Sequence, residues 1–169
     1  MKTVREQIIE RMVAQLETIT INNGYHHTIG PGNVQRQTPI IEQGKTPAAT
    51  VWELSETRER NRYGGTEKLL VIRVECLVQP ANNKHPAVAS NELLGDIEKS
   101  LIIGNVSLDE LIDDIQDVAA EVLLPSPLMN RRLGGADILQ LPIDRTLAGA
   151  AIEFEIKYTT EWGDPYSAQ

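Results

Sequence analysis

The sequence predicts an α+β fold: a largely antiparallel mixed sheet with helices packed on one face, in a single domain spanning residues 1–169. Three observations carry this expectation. An apolar stripe at helical spacing runs from Val4 to Leu16. Lys68–Val78 and Ala150–Tyr158 alternate apolar and polar residues with the period of two of a half-buried strand. The strand candidates cluster in hairpins rather than alternating with helices, which argues against a doubly wound nucleotide-binding sheet.

Taken in order, the first element is a helix over Thr3–Thr20. Thr3 and Glu6 stand at capping-box spacing. Val4, Ile8 and Met12, with Ile9, Val13 and Leu16, form its apolar stripe. Asn22-Asn23-Gly24 supplies residues that tolerate the left-handed conformation of a helix end. The competing local reading makes Thr18–Ile21 a strand that turns at Asn23-Gly24. Tyr25–Gln37 is expected as a short strand broken at Gly30-Pro31-Gly32, and residues 38–46 as a loop. Thr50–Leu54 is a strand, Thr57–Gly65 a charged hairpin loop, and Lys68–Val78 the strongest strand, with Leu70, Ile72, Val74, Cys76 and Val78 on one face. After a turn at Gln79–Lys84, Pro86 opens a second helix whose apolar side is Val88, Leu94, Ile97 and Leu101. Gly104-Asn105 ends it. Ser107 is expected to cap a short acidic helix, Leu108–Val118, with Leu111, Ile112 and Ile115 inward. Pro125 and Pro127 break any regular element in residues 119–135. Ile138–Ile143 and Ala150–Tyr158 are strands, and residues 160–169 form an ordered C-terminal extension.

Charge narrows the partners. The net charge is −8 and the isoelectric point about 4.9. Phosphate binding requires a basic face, yet the densest basic stretch, Arg58, Arg60 and Arg62, is interleaved with Glu56 and Glu59. Specific nucleic-acid binding is therefore not expected. Cys76 is the single cysteine, which precludes an internal disulfide and reads as a small core hydrophobe. No stretch approaches the ~20 apolar residues of a membrane span. The first residues lack a signal-peptide core, so a reducing, aqueous compartment is expected.

The search for chemistry finds little. Asp113-Asp114-Ile115-Gln116-Asp117 has the DDxxD spacing with which prenyl-diphosphate synthases hold magnesium against a diphosphate. Those enzymes are large all-helical bundles with a second such motif, and neither is present here. With Asp109 and Glu110 the run reads as a solvated helix face suited to the helix dipole. His26 and His27, adjacent on a strand, point to opposite faces and do not share a metal; with His85 they read as surface histidines. Gly30-Pro31-Gly32 and Gly134-Gly135-Ala136 lack the lysine and hydroxyl of a phosphate loop. No nucleophile elbow occurs. No enzyme, metal or cofactor is expected.

The order of parts resembles a known family. An amphipathic N-terminal helix leads to Asn23-Gly24-Tyr25. A Trp-bearing strand pairs with a long apolar strand. The last strand runs into Gly163-Asp164-Pro165-Tyr166-Ser167. This layout is similar to the tail terminator and minor tail proteins of long-tailed bacteriophages and prophages, including the lambda-type tail terminator. The resemblance implies a virion structural protein of the tail and neck, assembled in the host cytoplasm. It implies a homo-oligomeric ring, typically a hexamer, that docks on the last ring of tail tube protein and ends polymerisation. Such a ring offers a surface to the head-completion or neck protein, meets the sheath protein in a contractile tail, and lets DNA pass without specific binding. An acidic chain suits that passage.

Two interface candidates follow. Arg58, Arg60, Arg62 and Tyr63 are expected to project from the hairpin toward a partner. Trp162, Asp164, Pro165 and Tyr166 are expected to pack on a neighbouring subunit, since aromatic residues are enriched at interface hot spots. The alternatives are another neck or baseplate subunit, and a small metal-dependent enzyme using Asp113–Asp117.

Overall fold

A computed structural model describes residues 1–39, 46–104, 108–123 and 147–169. Among these residues five strands form one sheet: β1 (Val34–Arg36), β2 (Ala48–Arg60), β3 (Gly65–Val78), β4 (Asp114–Val122) and β5 (Ala148–Glu161), in the order β1-β2-β3-β5-β4. Every pairing is antiparallel except β1 with β2. Helices α1 (Val4–Glu17) and α2 (Pro86–Glu98) bury their apolar residues in one core with one face of the sheet. The fold is the α+β architecture that the periodicity predicts.

Helix α1 begins where its cap places it. The Thr3 hydroxyl accepts from the Glu6 amide at 3.2 Å. The other half of the capping box does not form, because the Glu6 carboxylate is taken by Arg36 at 2.6 Å. Val4, Ile8, Ile9, Met12 and Leu16 are buried. The helix stops at Glu17, earlier than expected, and the Thr18 hydroxyl closes it by donating to the Gln15 carbonyl at 2.6 Å. A single 3₁₀ turn, Ile21–Asn23, follows, and Gly24 at φ 85° ends it. Gly24 thus supplies the left-handed residue, but one turn beyond the helix, and no strand forms at Thr18–Ile21.

The strand expected over Tyr25–Gln37 is reduced to Val34–Arg36. The preceding segment is held by a side chain from α2. Asp96, 1% exposed, accepts from the backbone amides of His26 (3.0 Å) and His27 (2.8 Å) and contacts His26 Nδ1 at 3.0 Å. Those bonds replace a strand ladder.

β3 and β5 form the centre of the sheet, paired along their whole length from Gly65–Glu161 to Val78–Ala148. Leu70, Ile72, Val74, Cys76 and Val78 are buried, as are Ile152, Phe154, Ile156 and Tyr158. Burial pushes the Cys76 thiol well above its ordinary range, so it stays protonated and inert. Trp52 on β2 lies opposite Arg73, so the Trp-bearing strand does pair with the long apolar one.

Helix α2 starts at Pro86, with the His85 ring Nδ1 accepting from the Ala87 amide at 3.1 Å. Its inward residues are Ala89, Leu93 and Ile97, with Ser90 and Asp96 also buried, and Leu101 follows in a π turn, Lys99–Ile103, that ends at Gly104. Val88, expected inside, is 49% exposed. The buried Ser90 hydroxyl accepts from the Gly149 amide at 3.2 Å, fastening α2 to β5.

The acidic helix expected over Leu108–Val118 is a strand. Only one turn forms: the amides of Leu111 and Ile112 both donate to the Leu108 carbonyl, at 2.7 and 3.1 Å. Asp113 then donates to the Lys157 carbonyl at 2.7 Å, and the ladder of β4 with β5 begins. Leu111, Ile112 and Ile115 pack on the core from this turn and strand. Their spacing fits either period, and the ladder with β5 decides the outcome. Ser107, Asn105, the glycines at 134–135, and the predicted strand Ile138–Ile143 lie outside the described residues.

The opposite face of the sheet carries no helix among the described residues. There Arg73 reaches Glu75 (2.8 Å), Glu121 (3.0 Å) and Glu153 (3.6 Å), and the Trp52 indole N–H donates to Glu75 at 3.2 Å.

Candidate functional site

The two interface candidates, far apart in sequence, lie together at one end of the sheet. The predicted hairpin loop Thr57–Gly65 is mostly strand: β2 continues through Arg60, and only Asn61–Gly64 turns. Asn61 makes the turn. Its side-chain oxygen accepts from the amides of Tyr63 (3.0 Å) and Gly65 (2.8 Å), the arrangement that suits Asn to turns. Gly64 adopts φ 88°, open to glycine without a Cβ penalty.

The chain after β5 folds back against this turn. Trp162 donates its amide to the Gly64 carbonyl at 3.1 Å, and the Arg60 guanidinium lies 4.2 Å over the Trp162 ring. Gly163 turns at φ 79°. Asp164 then accepts from the Tyr166 amide (2.9 Å) and the Ser167 hydroxyl (2.8 Å), and these bonds hold its carboxyl below the usual range. Ser167 accepts from the Glu161 amide at 3.1 Å, and Gln169 donates to the Thr159 carbonyl at 3.0 Å. The Pro165 carbonyl accepts from the Val4 amide at 2.9 Å, which satisfies an otherwise orphan donor of α1. The C-terminal segment is thus built onto its own subunit. Its outer side remains available: Trp162 is 63% exposed and Tyr166 45%, beside Tyr63 at 89%.

A buried polar layer supports this surface, and sequence reasoning missed it. The Glu56 side chain, 4% exposed, accepts from the Tyr158 hydroxyl (2.7 Å) and Arg58 Nε (2.6 Å), with Arg5 at 3.6 Å. Burial alone would raise the Glu56 carboxyl; the bonds from Tyr158 and Arg58 prevail and lower it. Burial and then Glu56 push the Tyr158 phenol up. Lys68 lies 5.4 Å over the Tyr158 ring, and burial followed by the Arg58 charge lowers its ammonium. The usable signal was register: Glu56, Leu70 and Ile156 share one row, and Arg58, Lys68 and Tyr158 the next.

The other candidates resolve differently. Asp113 lies just before β4, and Asp114 and Asp117, three residues apart on the strand, point to opposite faces. The DDxxD spacing does not converge, and Asp113 instead accepts from the Thr159 hydroxyl at 2.7 Å. His27 is not a surface residue: its side chain is 10% exposed and its Nε2 lies 3.4 Å from Glu92 without forming a hydrogen bond. No group of three metal-ligating side chains occurs among the described residues.

What the end of the sheet presents is three aromatic rings and the guanidiniums of Arg58, Arg60 and Arg62 on a rigid two-stranded support. The rings desolvate favourably and the guanidiniums orient a partner by stacking and charge, which suits recognition of a macromolecular surface. In comparisons with known proteins, no family model and no curated protein matches the chain.

Proposed function

We propose that this chain is a ring-forming tail terminator of a long-tailed phage or prophage, and that the hairpin end of its sheet is the face that docks on the tail tube. One observation carries the reading: the hairpin and the Gly163–Ser167 segment, which the sequence layout singles out separately, form a single exposed aromatic and basic surface. The segment after β5 is tied down by backbone bonds while leaving Trp162 and Tyr166 outward. The helix-free face supports the same reading. Glu75, Glu121 and Glu153 surround Arg73 there, Glu67 lies beside Lys157, and a carboxylate-rich wall keeps passing DNA from adhering. The opposite end of the ring would meet the head-completion protein, and its outside the sheath where the tail contracts.

The test is complementation in a phage lacking this gene. Arg58→Ala, Arg60→Ala and Arg62→Ala combined with Tyr63→Ala should give folded protein and tails of uncontrolled length. Tails of normal length and full infectivity with this variant would remove the hairpin end as the docking face. Particles with normal tails but a defective neck or baseplate would assign the chain to that part of the virion instead.

A further inference from the structure

The outer edges of the sheet are unusual in the same way. β1 covers β2 only from Ala49 to Val51, extended by the Gln37 amide on the Val51 carbonyl. Beyond that, no strand among the described residues pairs with the outer edge of Leu54–Arg60. At the other side β4 is the last strand of the sheet among the described residues, and Asp114 and Gln116–Glu121 are all exposed. A strand ordinarily buries one face; β4 buries neither over most of its length. Each edge also carries one bulge. Leu54 is extra between Glu53 and Ser55, and Val118 between Asp117 and Ala119. The two bulges flank the same row across the sheet, Glu53–Ile72–Phe154–Asp117, and each exposes an apolar side chain, Leu54 at 51% and Val118 at 46%.

Charge and direction match as well. Between Asp109 and Glu121 there are six acidic residues and no basic one, whereas Leu54–Arg62 carries three arginines against two glutamates. β4 runs opposite to β2, because three antiparallel pairings separate them. Two copies in the same orientation therefore bring β4 of one antiparallel to β2 of the next, which is what a repeating cyclic contact needs.

We infer that copies of this chain join head to tail by sheet extension, the outer edge of β4 on one copy pairing with the outer edge of β2, Leu54–Arg60, on the next. In the level register Thr57 lies opposite Asp114, Arg58 meets the Asp113–Asp114 acids, and Leu54 packs on Val118. The contact rests on the ring-forming reading above, to which it adds the surfaces used. Bulges and charges also serve to keep edges unpaired, and that role requires the opposite experimental result.

The experiment uses the full chain with Thr57→Cys and Asp114→Cys, oxidised at high protein concentration. Cys76 is buried and does not interfere. Covalent multimers beyond the dimer should form with both cysteines and not with either alone. Adding Leu54→Lys or Val118→Asp to the double-cysteine chain should cut trapping about tenfold. Mixing the two at equal amounts should restore it, since alternating copies then meet either as Leu54–Val118 or as Lys–Asp. Circular dichroism melting confirms that each variant is folded. Double-cysteine protein that stays monomeric, or a mixture that fails to recover, overturns the inference. Trapping that succeeds in a protein unable to cap tails would instead remove the tail role and leave the contact standing.

Discussion

The amide of Val4 donates to the carbonyl of Pro165 at 2.9 Å, tying the first turn of α1 to the loop beyond the last strand. A segment expected to pack on a neighbouring subunit is built into its own fold.

Deleting residues 162–169 should lower stability. It removes the acceptor of Val4 and the bonds of Trp162 to Gly64 and Gln169 to Thr159. Each backbone bond contributes about 1 kcal/mol, so a loss of roughly 2–3 kcal/mol is expected in urea unfolding. By contrast Trp162→Ala alone, at an exposed position, should cost less than about 1 kcal/mol. Equal melting of the truncated and full chains would show the tie to be idle.

Ile72→Asp should abolish folding. Ile72 is fully buried between Glu53 and Phe154 in the sheet, and an unpaired carboxylate there costs several kcal/mol. Val71→Asp, on the other face, should stay soluble with a cooperative melt. Similar behaviour of the two would mean that the buried face is misassigned.

Asp96→Ala should be unusually costly for a polar residue. The change leaves the His26 and His27 amides without their acceptor in a part-buried site. About 2–4 kcal/mol is expected, with amide exchange at His26–Thr28 rising before global unfolding. Unchanged exchange protection would show that another group holds the segment.

Acid should destabilise the protein partly through Glu56. The bonds from Tyr158 and Arg58 outweigh burial and hold its carboxyl, in the folded protein, below the ordinary value of 4.5. Its contribution is therefore complete above about pH 4.5 and disappears as pH falls through the lower folded value. Glu6, lowered by its bond from Arg36, acts in the same direction. Glu56→Gln should be less stable than the parent at pH 7 and lose less on acidification. Parallel stability–pH curves for the two would contradict this assignment.

The legible parts of the fold were those where one period dominates. Ile72, Val74, Ile152 and Phe154 alternate without ambiguity, and both their strands and their common face could be read. Leu111, Ile112 and Ile115 fit a helix and a strand equally well. Only β5, far along the chain, selects the strand. β2 runs beyond the predicted Thr50–Leu54 for a related reason: Glu56, Arg58 and Arg60 carry no apolar alternation. Their extended form depends on Leu70, Lys68 and Thr66 opposite them. The candidate residues themselves were visible, because exposed Trp162, Tyr63 and the arginines stand out in a chain with few aromatics. That they share one surface was not visible, since it depends on the Gly65–Glu161 pairing.

The central strand pair joins segments made far apart in time. β3 emerges from the ribosome as a long ribbon with one apolar face, and β5, which covers one of its edges from Gly65 to Val78, follows only after α2 and β4. β2 can zip onto β3 early as a local hairpin, but the other edge waits. Such distant pairing slows folding and leaves a sticky intermediate. The nascent chain should therefore depend on holdase chaperones, and cooler synthesis should raise the soluble yield.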